Sequence, residues 1–254
     1  VPTFGVVYQP SDTTSFYASY SEGFHPVLNA FSAEDINGVS GEWSPEESRQ
    51  KEVGFKLDFP TNSVSLTGAL FEIEKDNLIE LTNLVNPKGN FYWVPVGSMK
   101  SSGAELEFQY RPKPHIQIRG GYAYVDAQIT NSRIAASVNA PLRNVPKHSV
   151  NLWARYNFAQ GPLEGFGVGV GGIYQSDRFG VTTNVATAQY ILPSYVKLDG
   201  ALYYNWKKYS FAVNFSNLLD ERYLPGSGSG TTAGDVRVTV GPPRQIIASV
   251  RRTF

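Results

Sequence analysis

The chain has 254 residues, with 22 lysines and arginines against 22 aspartates and glutamates, no cysteine, 24 glycines and 16 prolines. Zero net charge removes the basic surplus that nucleic-acid binding uses to displace counterions from phosphates, and the lack of cysteine excludes disulfides, thiolate metal sites and cysteine nucleophiles. His25, His115 and His148 fall in no HExxH or HxxxH spacing, and no apolar run reaches the roughly 18 residues of a transmembrane helix.

In chain order, eleven stretches alternate apolar and polar residues with a period of two: 2–8, 14–21, 47–59, 63–75, 91–110, 114–127, 147–158, 163–175, 194–206, 208–218 and 243–254. In the third, Val53, Phe55, Leu57 and Phe59 oppose Gly54, Lys56 and Asp58. In the fifth, Ala104, Leu106, Phe108 and Tyr110 oppose Glu105, Glu107 and Gln109. The seventh sets Val150, Leu152, Ala154, Tyr156 and Phe158 against Asn151, Trp153, Arg155 and Asn157. Such a period, rich in aromatic and β-branched residues, predicts strands, and no stretch carries a helical period. In the eighth, glycines 165, 167, 169 and 171 alternate with apolar residues. One face of that strand is therefore bare, which leaves room for a bulky neighbour.

The connections alternate in length. Short ones fall at 9–12, 60–62, 111–113, 159–162 and 207, and long ones at about 22–46, 76–90, 128–146, 176–193 and 219–242. Tight turns on one side and long loops on the other are the plan of an outer-membrane barrel. Tyr8, Phe16, Phe59, Tyr110, Phe158, Trp206, Tyr209 and Phe254 sit close to the short turns or the chain end, each on the apolar face of its strand. A level of amphipathic rings reads as a membrane-interface girdle. The same rings would fill a sandwich core, but Lys56, Asp58, Glu105, Glu107, Arg119, Arg155, Lys197 and Asp199 occupy the opposite face and suit a wet lumen. The fold class is therefore all-β, an antiparallel transmembrane β-barrel.

Eleven strands leave the first and the last running in the same direction, so they cannot close on each other as an antiparallel pair. Unpaired edges in lipid are untenable. No basic-plus-apolar leader opens the chain, which starts inside a strand. The expectation is the C-terminal part of a larger barrel.

Five stretches resemble the TonB-dependent ferric-siderophore receptors of the Gram-negative outer membrane. They are Phe4–Pro10 running into Tyr17–Phe24, Pro45–Lys56, Asn144–Leu152, Asn217–Tyr223, and Gly241–Arg244 leading to Phe254. The resemblance spans nearly the whole chain in the family's order. It implies a barrel of about 22 strands, with residues 1–254 supplying about the last eleven, and a plug domain and TonB box that are absent from this chain. It further implies ferric siderophore as ligand, with iron carried only inside it and no cofactor. The implied partners are TonB through the absent N-terminal region, outer-membrane lipid, and the barrel-assembly machinery through the C-terminal strand. A passive porin, or a receptor for cobalamin or haem, is the alternative.

No catalytic constellation is legible. Ser149 and His148 are strand neighbours whose side chains face opposite ways, and Glu105 with Glu107 reads as a lumen-wall pair. Ligand contacts are expected on the long loops, at Phe91, Tyr92, Trp93, Phe179, Tyr190, Trp43, Phe24 and His25. The parity of the strand ending at Tyr110 points Phe91 and Trp93 inward if no bulge intervenes. Arg133, Arg143 and Arg178 are candidates to neutralise an anionic chelate or to bind the phosphates of the outer leaflet, and the run from Gly226 to Gly230 suggests a mobile cover.

Overall fold

The computed structural model describes residues 1–26, 44–85, 89, 91–182, 185, 189–228 and 237–253, with backbone alone for residue 62 and for 80–85 and 91–96. Fifteen strands are described. They are β1 (Thr3–Ser11), β2 (Thr14–His25), β3 (Glu46–Phe59), β4 (Val64–Val85), β5 (Phe91–Lys113), β6 (Ile116–Asn131), β7 (His148–Asn157), β8 (Phe166–Gln175), β9 (Arg178–Phe179), β10 (Ile191–Leu192), β11 (Tyr195–Trp206), β12 (Tyr209–Ser216), β13 (Gly226–Ser227), β14 (Val238–Thr239) and β15 (Gln245–Arg252). Eleven of these form one sheet in the order β1-β2-β3-β4-β5-β6-β7-β8-β11-β12-β15, every pair antiparallel. The two small hairpins, β9–β10 and β13–β14, stand outside it.

Register sorts the two faces. Phe16, Phe55, Gly68, Leu106, Tyr122, Val150, Tyr174 and Val196 are successive cross-strand partners from β2 to β11. One residue along, Tyr17, Gly54, Ala69, Glu105, Ala123, Ser149, Gln175 and Tyr195 form the parallel row on the other face. The apolar face is the exposed one, with Leu70, Val170 and Ile246 each at 57% or more. A water-soluble sheet would bury that face, whereas here it is the surface that hydrocarbon covers.

The apolar belt ends sharply. Beyond Val53, Leu70 and Ala104, the next outward positions are Lys51, Glu72 and Ser102, with Lys100 beyond. Lys51 and Lys100 reach Glu72 at 3.3 and 2.6 Å, Lys100 reaches Glu74 at 3.6 Å, and Arg49 pairs with Asp76. Hydrogen bonds from Lys100 and then Lys51 hold the Glu72 carboxyl below its ordinary value. Exposed pairs of this kind add little stability singly, but they mark where lipid gives way to water.

β4 and β5, of 22 and 23 residues, far exceed the roughly 10 that cross a bilayer. The sequence expectation of a loop over 76–90 is corrected here for 76–85, through which β4 continues, with β5 beginning at Phe91. Asp76-Asn77 reads as a strand end, yet Asn77 absorbs the irregularity in the left-handed region (φ 58°) and its Nδ2 donates to the Pro45 carbonyl at 3.3 Å. Above Asp76 and Ser98 neither β3 nor β6 accompanies the pair, which continues as a two-stranded ribbon.

The bare strand is filled as its composition predicts. Trp153 of β7 lies across β8, its ring atoms 2.6 Å from where a Cβ on Gly171 would stand. Arg155 reaches across Gly167 and Gly169 to β11, its guanidinium 3.9 Å from the centre of the Tyr203 ring. Three strands are thereby tied across one glycine face.

Candidate functional site

The long connections all leave the same end of the sheet, and three of them, 132–147, 176–194 and 217–244, are locked together. Asn144, in the left-handed region (φ 65°), is the centre. Its N–H donates to the Phe179 carbonyl at 2.8 Å and its Nδ2 to the Ser227 carbonyl at 2.9 Å. Its Oδ1 accepts from the Ser227 N–H at 2.8 Å. The Ser227 hydroxyl lies 2.9 Å from Asn144 Oδ1 and 2.6 Å from the Gly180 carbonyl, which share its one proton. Arg143 adds Nη1 to the Gly228 carbonyl at 2.9 Å.

A second knot lies below. Arg178 is 2% exposed, its Nη1 donating to the carbonyls of Ser176 and Pro193 at 3.4 Å and its Nη2 to Leu224. The guanidinium stands 5.3 Å from the Tyr195 ring, which Tyr223 covers at 4.7 Å. Burial pushes this guanidinium below its ordinary value; its Nε has no partner among the described residues. Carbonyl dipoles and a ring face thus carry a buried cation.

A third knot explains the stretch Asn217–Tyr223. Asn217 (φ 54°) donates Nδ2 to the Glu221 carbonyl at 2.9 Å and to Pro242 at 3.1 Å, and accepts the Glu221 N–H at 2.9 Å. Asp220 accepts the Arg244 N–H at 2.8 Å, and Asp199 of the lumen wall accepts that of Asn217 at 2.8 Å. The motifs at 217–223 and 241–244 are two halves of one loop anchor.

Against this frame the sequence-predicted residues fall as follows. Phe179 and Tyr190 come together in the β9–β10 hairpin, where the Gly180 N–H donates to the Tyr190 carbonyl at 2.7 Å. Both are half-buried. Phe24 shares the outward face of Phe16 and is 60% exposed, while His25 has the opposite parity; Phe24 therefore does not look into the lumen. Trp43 and Phe254 lie outside the described residues. Phe91, Tyr92 and Trp93 form the ribbon's second strand, Trp93 opposite Leu81 and Phe91 opposite Val85. The ladder shifts between Lys75 and Leu78, between Leu78 and Ile79, and between Ser98 and Met99, so the condition attached to the inward parity of Phe91 and Trp93, a ladder without a bulge, is not met. Arg178 is corrected from a chelate-neutralising cation to a buried loop staple. The described part of the glycine-rich cover, Gly226–Gly228, is tied down by Asn144, Arg143 and β14; 229–236 lie outside the described residues.

Of the rings near the short turns, Tyr8 and Phe16 are cross-strand partners, as are Trp206 and Tyr209. Phe59 and Tyr110 both oppose Val64. Phe158 packs edge-on against Tyr156 at 5.0 Å. On the luminal side, Ser65, Thr67, Glu107, Gln109, Arg119 and Asp199 help line a mixed-charge concavity of about 520 Å³. Among the described residues no cluster of His, Asp or Glu is arranged to hold a metal ion. Sequence reading gave Asn144, Ser227 and Asn217 no structural role; the one local signal was asparagine at two of the three, a residue type tolerant of a left-handed backbone.

Residues 1–218 match the family model described as TonB dependent receptor-like, beta-barrel. The metal-pseudopaline receptor CntO of Pseudomonas aeruginosa is 30% identical over 254 residues, 100% of this chain and 33% of that protein. The ferrichrome outer membrane transporter/phage receptor of Escherichia coli is 29% identical, covering 87% of this chain and 28% of that one. The pyoverdine outer membrane receptor FpvA of Pseudomonas aeruginosa, solved bound to pyoverdine, superposes with a TM-score of 0.78 at 25% identity, over 100% of this chain and 36% of that one. This chain spans about a third of the length of such relatives. It belongs to the TonB-dependent receptor family, as part of that family's outer-membrane β-barrel.

Proposed function

We propose that the complete receptor takes up a ferric siderophore, energised through TonB by a plug and TonB box encoded outside these residues. The observation that carries this reading is the rim: three loops held as one body beside an aromatic ribbon, over a charged lumen wall. Two matched relatives are named for metal chelates, pseudopaline and ferrichrome, and FpvA was solved with pyoverdine. A compact chelate with a polar and aromatic shell suits stacking rings on rigid supports. Iron is then cargo, and the barrel needs no resident cofactor.

Uptake of a radio-iron-loaded siderophore by cells carrying the complete receptor is expected to fall to background when TonB is deleted. Undiminished uptake without TonB contradicts the reading and favours a passive porin. The aromatic ribbon supplies the stacking surface in this reading, so Trp93→Ala is expected to weaken binding of the same chelate about fivefold or more, a contact worth about 1 kcal/mol. Parental affinity for Trp93→Ala, measured on the complete receptor, removes Trp93 from the site.

A further inference from the structure

Two apolar recesses on the lipid-facing surface can be compared among the described residues, and one of them leads through a series of rings to two cation–ring pairs. The first, of about 410 Å³, is formed by Val168, Leu202 and Val213 between the rings of Phe166, Tyr204 and Phe211. Phe166 stacks on Tyr204 at 4.3 Å, and Tyr204 on Phe211 at 6.1 Å. Toward the short-turn end the ring series continues through Tyr209, 6.4 Å from Phe211, to Trp206, 6.2 Å from Tyr209. A cation lies over each of these last two rings: Lys207 Nζ is 5.1 Å from the Trp206 centre and Arg252 Cζ is 5.8 Å from that of Tyr209.

The same corner is strongly basic in a chain of zero net charge. Lys207 and Lys208 make the turn between β11 and β12 and Arg252 ends the neighbouring β15 opposite the outward Tyr209, all three exposed, whereas Arg251, opposite Ser210, has the luminal parity. The adjoining connection, 158–165, contributes one carboxylate, Glu164. The second recess, about 530 Å³ beside Phe16, Val53, Leu70 and Leu106, is equally apolar in its lining. Among the described residues no cation–ring pair stands at its turn end.

We propose that the first recess is a binding site for one acidic glycerophospholipid of the periplasm-facing leaflet. An acyl chain lies in the recess, and the phosphate group meets Lys207 and Arg252 at the level of Trp206 and Tyr209. The rings hold both cations at headgroup depth, where a long basic side chain otherwise wanders. A zwitterionic headgroup brings its own cation to the same corner and is disfavoured by it. The site is independent of which ligand the receptor imports, since it rests on the outer surface alone.

The test is native mass spectrometry of the complete receptor, offered equal amounts of palmitoyl-oleoyl phosphatidylglycerol and the matching phosphatidylcholine. The parent is expected to retain the phosphatidylglycerol about fivefold or more over the phosphatidylcholine. Lys207→Gln combined with Arg252→Gln removes that preference. Val168→Trp, which fills the recess, lowers retention of both lipids, whereas Val53→Trp in the second recess leaves retention as in the parent. Equal retention of the two lipids by the parent overturns the proposal, as does a preference that survives the double charge substitution. Equal losses from Val168→Trp and Val53→Trp overturn it too, by showing general annular binding. Heat-dependent gel mobility reports folding, and the comparison on the parent decides the headgroup question without any variant.

Discussion

Valine at Gly171 is expected to keep the barrel from assembling in the outer membrane. The Cβ built there falls against the Leu152 carbonyl oxygen, 2.6 Å from Trp153 Cε3 and 2.9 Å from Trp153 Cα. Two of those three atoms are backbone, and no rotamer change moves them. A core side chain that is overpacked costs about 1–3 kcal/mol when its neighbours can shift; here the shift must come from the β7–β8 ladder, which runs from Ser149–Gln175 to Asn157–Gly167. Slipping that ladder by one residue relieves nothing, because it turns either Val168 and Val170 of β8 into the lumen, or Tyr156 of β7 into the lumen and Trp153 and Arg155 into lipid. Gly5→Ala is the control, since its nearest neighbour stands 3.8 Å away. The measurement is the heat-modifiable receptor band in outer-membrane fractions: at parental level for Gly5→Ala, and absent for Gly171→Val. A folded Gly171→Val receptor at parental abundance contradicts the account of the bare strand.

The strands and their faces were legible in the sequence because hydrocarbon selects an apolar residue at every second position where it touches the sheet. Val53, Phe55, Leu57 and Phe59 needed no tertiary information to be placed. The bare face of β8 was legible too, since alternating glycines remove one face and leave the other intact. Legibility failed wherever the partner lay far along the chain. Asn144 and Ser227 are separated by 83 positions and Arg178 and Leu224 by 46, and nothing local to either residue announces the other. Arg178 read as a loop cation because it falls in the long connection over 176–193; its burial comes from Pro193, Leu224 and the Tyr195 ring, all supplied from elsewhere. Asp76-Asn77 read as a strand end because polar turn residues usually are one, and a left-handed Asn inside a continuing ladder is invisible to periodicity. The parity reading at Phe91 and Trp93 assumed a ladder without a bulge, and the shifts in this region remove that premise.

The second large effect is expected at Asn144. Asn144→Gly keeps the left-handed backbone at no steric cost but removes the carboxamide that joins the 132–147 loop to Ser227. The Ser227 N–H and carbonyl, on a residue 9% exposed, lose the partners at 2.8 and 2.9 Å that satisfy them. Each buried group so stranded costs about 1–3 kcal/mol. The clasp therefore opens more readily by roughly 2–4 kcal/mol, while the strands below, held by their own ladders, do not. Hydrogen exchange at the amides of Ser227 and Gly180 in the complete receptor is expected to accelerate about thirtyfold or more. Exchange in β7 and β8 stays unchanged. Asn144→Leu adds the cost of a left-handed backbone, about 1–2 kcal/mol, on top of the same loss, so it should exchange faster still. Ser227→Ala removes only the shared hydroxyl, whose proton serves one acceptor at a time, and leaves the two bonds between Asn144 and the Ser227 backbone in place. Its effect is expected to be the smallest of the three. If Asn144→Gly exchanges like the parent at Ser227 and Gly180, the three loops are held by something other than this residue. If all three variants accelerate equally, the backbone bonds carry no more than the hydroxyl does. The order Leu, Gly, Ala is what the geometry requires, because it ranks the variants by how many buried polar groups each one leaves without a partner and then by what the backbone at φ 65° tolerates.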